Sequence, residues 1–308
     1  MRNTFINELI NLALKDKNIF LLVGDLGYSV VEPFADKYPD RFLNCGVAEQ
    51  NMTGIAAGLA LEGYKVFTYS IANFNTLRCL EQIRNDICYH NLDVTIVSVG
   101  GGLSYGSLGY SHHAIQDIAI MGSMPNISLL LPGDPIETKW GLEYASNNSN
   151  PKYLRLGKTG EENIHSENDK YSPICCIHAG GKSDVAIVST SNMLDTANNV
   201  RINMIKQGVD VSLYSVPIID TKFNDGIQKI SKTHKYIFTI EEHCEVLGFG
   251  SIVKKYLEYE DSRVISFGIN HKLNKEVGSQ KYLRNIAGLS SSQLSQKIMD
   301  IYNNMKLV

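Results

Sequence analysis

Short apolar segments alternate with amphipathic helical segments along the first half of this 308-residue chain. The apolar segments are rich in Val, Ile, Leu and Phe, as expected of strands that a parallel sheet buries on both faces. Parallel strands need a crossover connection, and the helical segments between them supply it. We therefore predict a doubly wound α/β domain over residues 1–160, with strands at 19–23, 42–45, 65–69, 94–99, 127–131 and 153–156.

The same alternation returns in the second half after a change in composition. Residues 161–183 are mostly polar, which is typical of a linker, and a short β-excursion is predicted at 174–177. A second, smaller doubly wound α/β domain is predicted over 184–308, with strands at 185–188, 209–214, 236–240 and 264–267. The predicted fold class is therefore α/β with two doubly wound domains.

Composition excludes several classes of protein. The formal net charge is −3 and the basic residues form no stripe, so we expect no nucleic-acid partner. No apolar run approaches the ~20 residues that span a bilayer, and the N-terminus lacks the pattern of a signal peptide, so we expect a cytoplasmic protein without a membrane partner. The six cysteines form no CxxC pair, so we expect free thiols, no structural zinc site and no metal ligands in this chain.

A single carboxylate, that of Glu49, stands within a run of small and apolar residues from 46 to 60. Small residues recur every three or four positions, which predicts a helix packed closely against a neighbour. Gly46 stands three residues before Glu49, so no capping box is formed. A carboxylate buried there needs a partner. Two interpretations stay open: a structural partner within the protein, or a ligand nitrogen held by Glu49.

A second informative segment is the glycine-rich stretch from 100 to 113, which ends in His112 and His113. Glycines allow a backbone to approach a ligand closely, and we predict that the two histidines stand at the start of a helix, where the pKa of an imidazole is lowered. The alternative is a mobile loop whose histidines only cap the helix. Asp25, Glu49 and Arg155 follow other strands at the same predicted sheet edge, where open α/β sheets bind ligands.

Several of these motifs together resemble the transketolase family. The resemblance is to the C-terminal half of transketolase, meaning the pyrimidine-binding domain and the C-terminal domain, and it is strongest to the separate C-terminal subunits of two-chain transketolases. It covers nearly the whole chain in the right order. The motifs that carry it lie at 46–52, 81–85, 109–113, 132–135, 239–243 and 248–250.

The resemblance implies thiamine diphosphate as the cofactor. Glu49 matches the glutamate that hydrogen bonds to N1′ of the aminopyrimidine, which favours the imino tautomer and makes the 4′ nitrogen a base. Phe74 matches the aromatic residue that stacks on this ring, although an ordinary core phenylalanine is the alternative. Asp25 and Leu26 match an Asp-Leu pair near the cofactor. His112 matches a histidine beside the reacting carbon, a proton shuttle or oxyanion partner.

The resemblance also suggests how substrates bind and where this chain departs from the family. Arg155 matches an arginine that grips the substrate phosphate, and His112 and His113 are the other expected substrate contacts. Leu108 stands where the family has an aspartate that contacts sugar hydroxyls, and Gly100 stands where it has a histidine. Both departures remove hydrogen-bond partners, so a deoxy, branched or otherwise modified sugar is the hypothesis for the substrate.

The superfamily motif that holds the diphosphate and its metal is not matched in this chain. Gly24-Asp25-Leu26 followed by Gln50-Asn51 lacks the second glycine and the first asparagine of that motif. We therefore expect a partner subunit that carries the diphosphate-binding domain and most ligands of a Mg²⁺ or Ca²⁺ ion. The chain begins with Met1 directly at the pyrimidine-binding domain, in keeping with a two-subunit enzyme. We expect a homodimer core within an α2β2 assembly, with no activity of the isolated chain.

The leading hypothesis for function is the transfer of a two-carbon ketol unit from a ketose or ketose phosphate to an aldose. A second hypothesis keeps the cofactor and changes the reaction to that of a 2-oxoacid dehydrogenase β subunit or a deoxyxylulose-phosphate-synthase-like enzyme. A third is a non-catalytic assembly or regulatory subunit. Retention of Glu49 and His112 argues against the third, because such a subunit has no need of a buried carboxylate.

Overall fold

Two β-sheets organise the computed structural model, which describes residues 1–158, 160–181, 184–270 and 275–306. In the first sheet the strand order is β10-β5-β6-β4-β3-β1-β2, and in the second it is β12-β11-β8-β9-β7. The strands are β1 (Ile19–Val23), β2 (Phe42–Asn44), β3 (Lys65–Ile71), β4 (Val94–Val99), β5 (Ser128–Leu130), β6 (Lys152–Leu156), β7 (Cys175–His178), β8 (Val185–Ser189), β9 (Ser212–Ser215), β10 (Ile218–Ile219), β11 (Tyr236–Cys244) and β12 (Arg263–Ile269).

Helices cover both faces of each sheet, as a parallel sheet requires. They are α1 (Arg2–Lys15), α2 (Glu32–Lys37), α3 (Glu49–Leu61), α4 (Ala72–Asn75), α5 (Leu80–Gln82), α6 (Asp117–Gly122), α7 (Pro135–Asn147), α8 (Leu194–Lys206), α9 (Phe223–Ser231), α10 (Phe249–Tyr256), α11 (Gln280–Ile286) and α12 (Ser291–Lys306). The predicted α/β fold class is confirmed. In the described ranges, no helix has the length and apolar character needed to cross a bilayer.

Strand pairing within each sheet is parallel apart from one edge strand. In the first sheet β10 runs antiparallel to β5, with Ile218 opposite Leu130 and Ile219 opposite Leu129. In the second sheet β7 runs antiparallel to β9. β10 comes after three strands of the second sheet along the chain, yet it pairs with β5 at the edge of the first sheet. The first sheet therefore contains a strand from the C-terminal half of the chain.

Two predicted helical regions differ from the structure. The helix predicted from 75 to 89 is broken into α4, a 3₁₀ turn at Leu77–Cys79, α5 and a π-helical segment at Ile83–Cys88. Side chains compete for the backbone at the break, because the Thr76 hydroxyl donates to the carbonyl of Ala72 and Asn75 donates to the carbonyl of Val97. His112 ends a 3₁₀ turn at Tyr110–His112 and does not start a helix, since α6 begins only at Asp117.

A buried ion pair joins the ends of the two sheets. Arg155, on β6, donates through Nε to Asp117 Oδ2 at 2.7 Å and through Nη1 to Ser191 Oγ at 2.8 Å. Its Nη2 donates to the carbonyls of Ala114 at 3.0 Å and Glu242 at 3.1 Å. Burial alone would raise the pKa of Asp117, but Arg155 beside it holds that pKa below its ordinary value. The arginine therefore connects the first sheet, the end of the glycine-rich loop 100–113 (the histidine loop) and the second sheet.

This placement does not favour the predicted role of Arg155 in gripping a substrate phosphate, which stays a prediction. The side chain of Arg155 is 0% exposed, and all three of its guanidinium nitrogens donate to protein atoms. A phosphate reaching it would have to replace bonds that hold the two sheets together. In this structure Arg155 is a structural residue.

Loss of the Arg155 charge is expected to destabilise the fold. In an Arg155→Met variant, Asp117 becomes a buried carboxylate without its cation, which costs about 3–5 kcal/mol of unfolding free energy. Urea denaturation followed by circular dichroism measures the change. Lys255→Met is the control, because Lys255 pairs with Glu258 at an exposed surface, where loss of an ion pair has little effect on stability. Equal effects of the two substitutions would contradict this account.

Candidate active site

Glu49 begins helix α3 at the carboxyl ends of β1 and β3. Its carboxylate is 1% exposed, and Oε1 accepts a hydrogen bond of 3.3 Å from the hydroxyl of Ser70, the penultimate residue of β3. Gly24, directly after β1, lies so close that an added Cβ would be 3.3 Å from Glu49 Cγ and 3.2 Å from Ser70 Oγ. A side chain at position 24 would therefore crowd the carboxylate.

A cation that the sequence analysis did not identify neutralises this carboxylate. Arg78 Nη1 donates to Glu49 Oε2 at 2.7 Å. The Arg78 side chain remains 44% exposed, and its guanidinium carbon lies 4.7 Å from the centre of the Phe74 ring. The buried acid is thus paired with a cation that reaches it from the surface, across an aromatic ring.

The ring of Phe74 lies between Arg78, the partner of Glu49, and His112. The rings of Phe74 and His112 meet edge to face, with their centroids 5.2 Å apart, and Tyr105 approaches His112 at 6.4 Å. The Nδ1 atom of His112 lies 3.0 Å from the hydroxyl of Ser111. Burial lowers the pKa of His112 below its ordinary value, and neighbouring His113 lowers it further. His112 is therefore mainly neutral at pH 7 and able to accept a proton.

Asn73 holds the histidine loop against this cluster. Its side-chain amide donates to the carbonyl of Ser111 at 3.0 Å and to that of His113 at 3.1 Å. The sequence offers one hint of this role, the position of Asn73 next to Phe74. The partners of Asn73 lie 38 and 40 residues away, and no local pattern reveals them.

His113 has a different environment from His112. It is buried, and its Nε2 lies 3.2 Å from the carbonyl oxygen of Gly106. The prediction that His113 contacts a substrate is not supported by this placement, because the ring is enclosed by its own loop. Among the described contacts, His112 meets the Phe74 ring, whereas His113 meets the carbonyl of Gly106.

Asp25 and Leu26 lie beside the cluster, next to Gly24. Asp25 has a positive φ of 54°, and its Oδ1 accepts a 3.0 Å hydrogen bond from the side chain of Asn44, at the end of β2. Leu26 is half-buried and packs against the core under the first sheet. Their position near Glu49 is compatible with the predicted role, which remains a prediction.

The helix that carries Glu49 has an open face. Among its small residues, Ala56 and Ala57 are buried in the core, whereas a Cβ added to Gly54 or Gly58 would meet no described atom within 4 Å outside the helix backbone. Large apolar residues beside Glu49 are also exposed, including Tyr28 and Val47, at 77% and 72%. The site therefore lies at an uncovered apolar surface.

The residues of the cluster form a chain of contacts with defined chemistry. Glu49 offers a buried hydrogen-bond acceptor, Phe74 offers an aromatic face, and His112 offers a neutral imidazole. The planar guanidinium of Arg78, bonded to the first and lying over the second, shows that a flat hydrogen-bond donor fits between them. The structure brings these three predicted residues together and adds Arg78 and Ser70, which no sequence pattern indicated.

Two family models match the chain. The transketolase pyrimidine-binding domain matches residues 1–160, and the transketolase C-terminal domain matches residues 177–293.

Similar proteins include an apulose-4-phosphate transketolase subunit from Actinobacillus succinogenes. It is 31% identical over 260 residues, which cover 83% of this chain and 83% of that protein. A putative transketolase C-terminal section from Methanocaldococcus jannaschii is 31% identical, with 97% and 95% of the two chains covered. A 6-deoxy-6-sulfo-D-fructose transketolase subunit from a Clostridium species is 28% identical, with 96% and 92% covered.

Among solved structures, a split-gene transketolase described as an inactive β4 tetramer superposes with a TM-score of 0.85 and 28% identity. The match covers 97% of this chain and 96% of that one. The two family models, the similar proteins and the fold all indicate the same family. This chain belongs to the transketolase family.

Proposed function

We propose that this chain is the C-terminal subunit of a thiamine diphosphate-dependent, transketolase-like enzyme that transfers a two-carbon ketol unit from a ketose to an aldose. The observation that carries the proposal is the buried Glu49 carboxylate, joined through Arg78 to Phe74 and His112. When bound, the cofactor supplies the electron sink for breaking a carbon–carbon bond beside a carbonyl. The proposed division is a pyrimidine-binding domain at 1–160, a linker at 161–183 and a C-terminal domain at 184–308.

In this proposal Glu49 orients the aminopyrimidine ring and fixes its protonation. The buried carboxyl group at the head of α3 would hold a ring nitrogen of the bound cofactor, while Ser70 donates to its Oε1. Phe74 offers its face to the ring. Asp25 and Leu26 are proposed to line the adjoining part of the cofactor site.

Arg78 is proposed to be a temporary partner of Glu49. Its guanidinium bonds to the same carboxylate that the pyrimidine would need, and it lies over the same aromatic ring. Because its side chain is 44% exposed, the guanidinium can swing to solvent without breaking any buried contact other than the one to Glu49. Cofactor binding would then exchange one cationic or donor group on Glu49 for another.

His112 is proposed to hold and move a proton during substrate turnover. Its Nδ1 is engaged by Ser111, which leaves Nε2 free to exchange a proton with a substrate oxygen. The lowered pKa keeps a large fraction of the imidazole neutral at pH 7, as a general base requires.

A partner subunit completes the site in this proposal. Relatives of this chain are named as subunits of transketolases, and one neighbouring structure is described as an inactive β4 tetramer of a split-gene transketolase. The exposed apolar residues beside Glu49 and the open glycine face of α3 would be covered in a complete assembly. We propose a cytoplasmic α2β2 enzyme whose partner binds the diphosphate and the Mg²⁺ or Ca²⁺ ion.

A modified sugar is the proposed substrate class. Leu108 lies exposed on the 3₁₀ turn Gly106–Leu108, which precedes His112, and so an apolar side chain stands where the family has an acid. Two relatives are named for apulose 4-phosphate and for 6-deoxy-6-sulfo-D-fructose. The alternative reaction is favoured by one observation: a 1-deoxy-D-xylulose-5-phosphate synthase from Clostridium perfringens is 28% identical over 97% of this chain, which matches 49% of that protein.

Glu49→Gln is expected to abolish turnover while leaving the fold intact. The amide keeps the shape of the side chain but lacks the basicity needed to set the protonation of the ring, so kcat should fall by at least about 100-fold in the enzyme reconstituted with its partner. Glu62→Gln, at the exposed opposite end of α3, is the control and should retain activity. Substantial activity of Glu49→Gln would remove the central residue of the proposal.

Arg78→Met is expected to tighten cofactor binding several-fold, because the competing cation is gone and the unpaired Glu49 gains more from a ring nitrogen. Isothermal titration of thiamine diphosphate into the reconstituted enzyme measures Kd independently of turnover. Arg84→Met is the control, since Arg84 is exposed and its side chain donates to the neighbouring Asn85. Weaker binding by Arg78→Met would mean that the arginine supports the cofactor and does not compete with it.

The reconstituted enzyme is expected to prefer ketoses with fewer hydroxyl groups over xylulose 5-phosphate, because Leu108 provides no hydrogen bond to a sugar hydroxyl. Comparing kcat/KM for a panel of donors tests this, and Leu108→Asp should shift the preference towards xylulose 5-phosphate. A clear preference of the unaltered enzyme for xylulose 5-phosphate would contradict the modified-sugar hypothesis.

A further inference from the structure

Three buried side chains converge on one point where the linker meets the first sheet. Glu137 on α7, His165 in the segment after β6, and Cys175 at the start of β7 place their ligand atoms within 4.8 Å of one another. Trp140 covers the group, with its ring 4.8 Å from that of His165. The cluster lies apart from the contacts that surround Glu49.

Asp134 fixes the orientation of the histidine. Its Oδ2 lies 3.0 Å from His165 Nδ1 and also accepts hydrogen bonds from the backbone N–H groups of Ile164 and His165. Its Oδ1 caps α7 by accepting from the N–H of Glu137 at 2.8 Å. A carboxylate at Nδ1 attracts a proton to that atom, and in the neutral ring the lone pair then lies on Nε2, the arrangement of metal-binding histidines. Without a metal, Asp134 and Glu137 outweigh burial and raise the pKa of His165.

Two acceptor atoms then face each other without a donor between them. His165 Nε2 and Glu137 Oε1 are 3.6 Å apart, and among the described residues neither has a hydrogen-bond partner. The Ser215 hydroxyl is near enough to lower the pKa of Glu137 but also lacks a partner of proper geometry. Glu137 is fully buried, and an unpaired carboxylate oxygen in such a place is costly unless a cation or a proton lies beside it.

The third side chain adds a sulfur donor. Cys175 Sγ lies 3.1 Å from the carbonyl oxygen of Ser172, and burial raises the pKa of the thiol to about 12. Without a cation the group would therefore remain a thiol. A divalent ion offsets the cost of forming the thiolate in a buried place.

We propose that Glu137, His165 and Cys175 bind one Zn²⁺ ion that fastens the linker to the first sheet. Nitrogen, oxygen and sulfur donors together suit zinc, and neighbouring ligand atoms in its tetrahedral sites stand about 3.3–3.6 Å apart, close to the observed 3.6 Å. On binding, the Cys175 proton passes to solvent, and a water molecule fills the fourth position. The site lies apart from Glu49, and the proposal does not rest on the proposed transferase activity.

The cysteine spacing could not predict this site, because each ligand comes from a different segment of the chain and the adjacent Cys176 is not part of the cluster. The alternative occupant is a single proton shared by Glu137 and His165, since burial raises the pKa of Glu137 to about 7. Metal analysis separates the two.

The test is the zinc content of the purified full-length chain, measured by inductively coupled plasma mass spectrometry after dialysis against zinc-free buffer. We expect about one zinc per chain, and its loss in Cys175→Ala and Glu137→Gln. Cys176→Ala is the matched control, because Cys176 is the next residue on the same strand and is exposed. It should retain the zinc.

Cobalt substitution provides a second readout, and the band of the unaltered chain by itself reports a thiolate ligand without relying on any variant. A near-ultraviolet thiolate-to-cobalt absorption band, absent in Cys175→Ala and present in Cys176→Ala, is expected. Zinc below about 0.1 per chain together with no cobalt band would overturn the proposal, as would zinc retained equally by Cys175→Ala, which would identify adventitious metal.

Discussion

The buried ion pair of Arg155 and Asp117 is the interaction on which the relation between the two sheets depends. One guanidinium contacts a helix of the first sheet, the backbone just after the histidine loop, and the carbonyl of Glu242 on β11. Each of these bonds satisfies a buried polar group that would otherwise be costly. Because Ala114 immediately follows the loop, the position of His112 relative to Glu49 is set from the domain junction as well as from the strand ends. Arg155 thus joins the two sheets and also holds the backbone next to the loop that carries His112.

Glu49 and Asp117 show two ways of burying a carboxylate. Asp117 is paired with an arginine that is itself fully buried, so the pair is permanent. Glu49 is paired with an arginine that is nearly half exposed, so its partner can leave without desolvating a second charge. The difference lies in the exposure of the cation, since the two carboxylates are equally enclosed. The two ion pairs therefore differ in whether the cation can return to water, which is the property that the proposed role of Glu49 requires.

The sequence allowed the α/β class and the position of Glu49 to be predicted, because buried strands such as Val94–Val99 are apolar and β-branched and because an isolated acid in a small-residue run is conspicuous. It did not allow Arg78 to be paired with Glu49, since the two are 29 residues apart and a surface arginine carries no signal of its partner. The enclosure of Arg155 is missed for the opposite reason: a charge at a strand end is expected to face solvent or a ligand, whereas contacts from the second sheet enclose it. A local sequence pattern predicts which side chains of a segment are buried, but it does not predict which distant residues contact them.

The antiparallel strand β10 has a consequence for how this chain can be divided. The first sheet receives its last strand from beyond the linker, and the backbone N–H of Leu131 bonds to the carbonyl of Pro217 at 2.6 Å alongside it. A fragment that stops at residue 160 would leave the edge of β5 bare, and a bare edge invites pairing with foreign strands. The boundary suggested by composition is therefore not a seam along which the molecule separates. A cut at the linker would separate the first sheet from one of its own strands, so the two halves of the chain are expected to fold as one unit.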